Sequence, residues 1–150
     1  MALDWLKTRF NEIKGEVNSE IVKFRNRTMM EGVVAGCAMI AHADGVVSPE
    51  EKQKMAGFMQ QSEALNVFKM DDVIKTFTSF AEKFEFDHQI GQAEALRSIA
   101  KLKGKNAESR LLVRVCCMIG AADGNFDQNE RASTVMICRE LGLDPAEFDL

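Results

Sequence analysis

Two Asp-Gly pairs, Asp44-Gly45 and Asp123-Gly124, are each followed seven positions after the aspartate by a glutamate, Glu51 and Glu130. Laying residues 33–51 over 112–130, a constant shift of 79, aligns VVAGCAMIAHADGVVSPEE with LVRVCCMIGAADGNFDQNE at eight identical positions. Each copy reads as a buried helix ending at Asp-Gly, a turn, and a second helix opened by an N-cap with a Glu three residues on. The glutamates have an architectural reading: Ser48-x-x-Glu51 and Asp127-x-x-Glu130 are capping boxes, in which the Glu bonds backbone N–H groups at its own helix start. The aspartates fit architecture less well, because a helix C-terminus carries negative partial charge and prefers a cation by about 0.3–1 kcal/mol. An Asx-type turn would explain either aspartate alone. The same departure in both copies is what a bound cation would explain, with Asp44, Glu51, Asp123 and Glu130 as its ligands.

The second loop, Asp123-x-Asn125-x-Asp127-x-Asn129, puts side-chain oxygens at alternating positions, as a calcium loop does. The likeness to an EF-hand then fails. Gln128 stands where Gly is needed, Thr134 where the bidentate Glu is needed, and Val46 at the third position of the first loop. A site built here must differ from an EF-hand, and combining the two loops is one way to build it. Asp127 is a further candidate ligand, although its counterpart is Ser48. The donors are hard oxygens and neither histidine lies in a loop, so calcium is expected over zinc. His42 and His88 read as structural or surface residues.

Other chemistries have less to stand on. Cys37, Cys116, Cys117 and Cys138 lie in apolar helical stretches with no CxxC or Cys/His zinc spacing, and read as reduced core thiols. Chalcogen oxyanions react with thiols, which keeps a thiol mechanism as an alternative, but no basic residue adjoins Cys37, Cys116 or Cys117 in sequence to lower a thiol pKa. No nucleophile–base pattern or phosphate-cradling glycine loop points to an enzyme. A net charge of −4 argues against a nucleic-acid partner. Residues 1–30 carry six basic and four acidic groups, residues 121–150 two and seven, so the two ends suit different partners. With neither a signal-peptide pattern nor a long apolar run, a cytoplasmic location is expected.

The elements that must position these residues are helical throughout. Residues 1–25 hold an amphipathic pattern (Leu6, Phe10, Ile13, Val17, Ile21, Phe24) that Gly15 or Asn18-Ser19 can divide. Trp5, Phe10, Lys7, Arg9 and Lys14 suit peripheral membrane contact, although an apolar stripe covering the core is the simpler reading. Thr28 with Glu31 suggests a capping box before a core helix over 33–43. Further helices are expected from Ser48 to about Gln60, from Asp71 to Phe84, over 88–103, from a cap at Asn106 to Ala122, and from Asp127 to Leu141, closed by Gly142. Asp144-Pro145 starts a last short turn. The expectation is an all-α, single-domain bundle of about seven helices over residues 1–150, containing the duplicated helix-turn-helix 33–51 / 112–130.

The segments AHADGVVSPEE and GAADGNFDQNE, with the MALDWLKTRF opening and the chain length, resemble the TerB family of tellurite-resistance proteins across the whole chain. The resemblance implies an all-helical fold, an acidic cluster holding a divalent metal such as calcium, and a part in tellurium-ion resistance and stress response. It also implies association at the inner face of the cytoplasmic membrane with a TerC-like integral membrane protein and other tellurite-resistance proteins. Carried over to this chain, the metal candidates are Asp44, Glu51, Asp123 and Glu130, with Asp127. The function expected is a non-catalytic, calcium-binding adaptor. A metal-independent helical scaffold and a thiol-based tellurite-handling protein are the alternatives.

Overall fold

The computed structural model describes residues 17–45, 47–122, 124 and 126–150. Residues 17–23 are helical, followed by α1 (Arg27–Ala41), α2 (Pro49–Gln61), α3 (Met70–Phe86), α4 (His88–Ala100), α5 (Asn106–Gly120) and α6 (Gln128–Glu140). Short 3-10 turns occupy Leu65–Val67 and Pro145–Phe148. No strand occurs among the described residues, so the chain is all-α as its periodicity predicts. No helix among them is long and apolar enough to cross a membrane.

The core is organised around α1. From Met29 to Ile40 every residue except Glu31 is buried, and the helix packs against α3, α4, α5 and α6. A helix apolar on all sides belongs in an interior. It packs closely on α5. A Cβ on Gly32 would lie 2.9 Å from Leu112 Cδ1, one on Gly36 would run into Cys116 Sγ, and one on Gly120 would lie 3.3 Å from Ile40 Cγ2. These contacts pair 32 with 112, 36 with 116 and 40 with 120, advancing one turn on both helices in the same direction. Hence α1 and α5 run parallel, packed through i±4 ridges, and their C-terminal ends emerge side by side.

The helix starts depart from the sequence expectations in ways that packing explains. Thr28 is not a cap and forms no capping box with Glu31. The N-cap is Asn26, whose side chain accepts from the Met29 N–H at 2.9 Å, and Glu31 pairs with Arg27. Starting earlier lets Met29 and Met30 join the buried face. Asn106 is the first helical residue of α5 after Lys105, and α5 stops at Gly120, before Ala122. Helix α3 opens at Met70, leaving Asp71 and Asp72 in its first turn, where the helix dipole favours them. Helix α4 ends at Ala100, short of 103, and its cap is Asp87, whose carboxylate accepts from Gln89 and Ile90 N–H. Asn18 and Ser19 do not break the first helical pattern but lie inside it. The part of that pattern in residues 1–16, with Trp5 and its basic neighbours, lies outside the described residues.

The absence of a Cβ at Gly36 is what permits the α1–α5 approach. Gly36→Ala is expected to destabilise the protein by about 1–3 kcal/mol through overpacking, measured by urea unfolding. Gly57→Ala is the control, because nothing lies within 4 Å of the added Cβ, and the loss of helix-interior glycine should leave stability equal or raised by up to about 1 kcal/mol.

Candidate metal centre

The parallel run of α1 and α5 delivers both chain turns to one side of the bundle. At the end of α1, His42 N–H closes onto Ala38 and Ile40 carbonyls, and Gly45 follows with φ +92°. At the end of α5, Ala121 N–H closes onto Cys117 and Ile119 carbonyls, and Gly124 has φ +78°. Both glycines therefore take the left-handed conformation that their sequence position implies. The next helices are capped as expected. Ser48 Oγ accepts from Glu51 N–H at 3.1 Å while Glu51 Oε1 accepts from Ser48 N–H at 3.4 Å. Asp127 Oδ1 accepts from Glu130 N–H at 2.8 Å and Glu130 Oε1 from Asp127 N–H at 3.3 Å.

Between these ends lies a cleft of about 220 Å³ whose apolar walls include Ile40, Met55, Phe58 and Ile119. Asp44 and Glu51 from the first turn, and Asp127 and Glu130 from the second, line it together, with the Lys54 ammonium as a cationic neighbour. Four of the five sequence candidates are thus brought to one cavity; the fifth, Asp123, lies outside the described residues. No group of three or more His, Cys, Asp or Glu side chains close enough to hold an ion occurs among the described residues.

Electrostatics here are set by the carboxylates. Two helix C-termini contribute roughly −0.5 charge each, but the first turns of α2 and α6 contribute comparable positive ends, and the four terminal fields offset. What is left is four carboxylates against one ammonium, a charge distribution that attracts cations.

A residue that the sequence reading left out of the site is Asn129. Its Nδ2 donates to Asp44 Oδ1 at 2.6 Å, joining the first turn of α6 to the end of α1. The local signal was present, since Asn129 closes the alternating oxygen series of the second loop, but its partner is 85 residues away and is set by the α1–α5 register.

His42 is fully buried. Its Nδ1–H donates to Ala38 O at 2.8 Å, and its ring stacks on Phe84 with centroids 4.6 Å apart and planes 8° from parallel. Burial lowers its pKa below the ordinary 6.5, against the opposing pull of the Ala38 carbonyl and the Glu85 charge. His88 is exposed and meets Phe84 in an edge contact, with centroids 5.3 Å apart.

All four cysteines are buried and free. Cys116 is held well above the ordinary thiol range by its hydrogen bond with Cys37 and by burial. Burial pushes Cys117 up to about 12 and, with the charges of Glu147 and Asp144, Cys138 up to about 11. Cys116, Cys117 and Cys138 are therefore protonated at neutral pH and poor nucleophiles.

Comparison with known proteins identifies the family. The family model described as "Tellurite resistance protein TerB" matches residues 30–150. A curated relative from Alcaligenes sp, "Tellurium resistance protein TerB", is 39% identical over 113 residues, covering 71% of this chain and 93% of that protein. No solved structure matches the chain.

Two expectations follow from the buried groups. His42 stays neutral in the fold but takes a proton near pH 6.5 once unfolded. Its contribution to stability is therefore complete above 6.5 and is lost as pH falls from there through its lower folded pKa. Urea midpoints should drop between pH 7 and 5.5, and the drop should be smaller in His42→Phe, which keeps a ring against Phe84. Ellman's reagent should label the native thiols at least about 100-fold more slowly than in denaturant; labelling at equal rates would contradict their burial.

Proposed function

The chain belongs to the TerB family of tellurite resistance proteins, and from that membership we propose that it is a non-catalytic adaptor in tellurium-ion resistance and stress response whose acidic cleft takes a divalent cation, calcium. The observation that carries the metal reading is the shared cleft: Asp44 and Glu51 arrive from one helix end, Asp127 and Glu130 from the other, and all four line one cavity. The donors are hard oxygens, of which calcium takes six to eight, carboxylates among them, whereas zinc prefers nitrogen and sulfur; among the described residues no three of them stand close enough to hold an ion without movement of the turns. In the sequence Asp123 stands where Asp44 does in the first copy. Bound calcium would supply fixed positive charge that draws the two turns together; the chain's own part is to hold carboxylates on rigid helix ends around an apolar floor.

In this reading the protein works in the cytoplasm, partly at the inner face of the membrane, with a TerC-like integral membrane protein and other tellurite-resistance proteins as partners. The mix of apolar and basic residues at Trp5, Lys7, Arg9, Phe10 and Lys14 supports contact with that surface, whereas Val17 and Ile21 of the same stripe belong to the core. A metal-independent scaffold is the second reading, favoured by the two capping boxes, which already give Glu51 and Glu130 a structural task. The thiol reading has the raised pKa values of the buried cysteines against it.

Amide NMR during a calcium titration separates the two main readings. Shifts concentrated in residues 42–52 and 121–131 at or below millimolar calcium are expected. Asp127→Asn keeps a good N-cap while removing the charge, and with Asp44→Asn it should weaken binding at least about tenfold, or 1.4 kcal/mol. A spectrum unmoved by millimolar calcium removes the metal claim and leaves the scaffold.

A further inference from the structure

Among the described residues the exposed large apolar side chains include Phe86, 83% exposed, and Ile90, 46% exposed, which flank the corner between α3 and α4. A single exposed hydrophobe is ordinary, but this corner adjoins a second uncovered apolar surface. Between α2 and α3 lies a groove of about 380 Å³ whose apolar lining includes Ala56, Ile74, Phe77 and Ala81, with Glu82 and the Lys52–Glu85 ion pair as polar lining. Residues four apart on a helix are neighbours, so Phe86 stands one turn beyond Glu82, at the C-terminal edge of the groove. Phe86 cannot enter its own groove, because both ride on one rigid helix. The groove of a second copy is open to it.

A two-fold axis level with Phe80 that sets α3 antiparallel to its counterpart brings Phe86 of each copy level with Ile74 of the other, since both lie six positions from 80. The charges agree with this register. Lys75 and Glu82 are exposed, lie on the same outer strip of α3 as Phe86, and make no ion pair among the described residues. In the antiparallel pair Lys75 of each copy comes within a turn of Glu82 of the other, so unlike charges meet twice across the axis. Glu85, level with Lys75, is already neutralised by Lys52 of its own chain.

We propose that the α2–α3 face is a self-association surface through which two copies of this chain pair, α3 antiparallel to α3, each Phe86 seated in the other copy's groove. Such a contact is isologous and closes as a dimer. With one aromatic anchor per copy it belongs to the small, transient class of interface. Nothing in the pairing depends on a bound cation.

Sedimentation equilibrium of the full chain provides the test. At about 1 mM the wild type is expected to be mostly dimeric, as a Kd of about 0.1 mM or tighter requires. Phe86→Ala, at a position too exposed to support the fold, is expected to pair at least about tenfold more weakly with an unchanged melting temperature in dilute solution. Lys75→Glu is expected to weaken pairing, and Glu82→Lys added in the same chain to restore it, because the two-fold sets the exchanged charges opposite each other again. A wild type that is monomeric at about 1 mM overturns the proposal and leaves the groove to a different occupant. A dimer undiminished in Phe86→Ala or in Lys75→Glu overturns it too, as does one that the double charge exchange fails to repair. A Phe86→Ala chain that melts several degrees lower when monomeric makes Phe86 a support of its own fold and counts equally against the proposal.

Discussion

The packing of α1 onto α5 is the constraint on which the remaining structure depends. Glycine at 36 lets the Cys116 thiol sit against the α1 backbone, where it reaches the Val33 carbonyl at 3.6 Å. Because the flanking contacts keep step one turn at a time, the two helices cannot slide or tilt far without driving Leu112 into α1 or Ile40 into α5. Parallel rather than antiparallel packing is what makes the two Asp-Gly turns neighbours. Had the helices run in opposite directions, the turns would lie about 20 Å apart, the length of a 15-residue helix, and no cleft could gather carboxylates from both.

Given that frame, the acidic residues divide by how far the fold accounts for them. Glu51, Asp127 and Glu130 each satisfy a backbone N–H at a helix start, where negative charge is favoured. Asp44 stands at a helix C-terminus, where charge of its sign is disfavoured, and the Asn129 amide compensates from another element. Lys54 adds positive charge to the same cleft. The architecture thus leaves Asp44 as the carboxylate whose local helix gives it no support.

Much of this was legible from local signals. Proline at 49 after Ser48, the two Ser/Asp-x-x-Glu boxes and the glycines at 45 and 124 specify turns and caps through interactions spanning three or four residues, and they appear where expected. Where two local solutions competed, pattern reading chose by motif strength and packing chose by burial, which is why Asn26 displaced Thr28. The Asp87 cap escaped notice because one residue both ends α3 and opens α4, so no gap in the apolar period betrays it. His42 and Asn129 illustrate the harder limit. The imidazole is buried by a ring 42 positions away, and the amide finds its partner 85 positions away; both distances follow from helix packing that no short window contains.

The central position of α1 has a consequence for how the chain is made. From Met29 onward all of this helix but Glu31 is buried, yet one of the helices that bury it, α5, arrives some 83 residues later in sequence, as the Cys116–Val33 contact shows. At synthesis rates of about 5–20 residues per second, α1 waits roughly 4–17 s for that partner. Until then the helices that precede α5 in the chain, chiefly α3 and α4, cover only part of its apolar surface. The most deeply interior segment of the finished molecule is thus among the last to have all its faces covered as the chain is made.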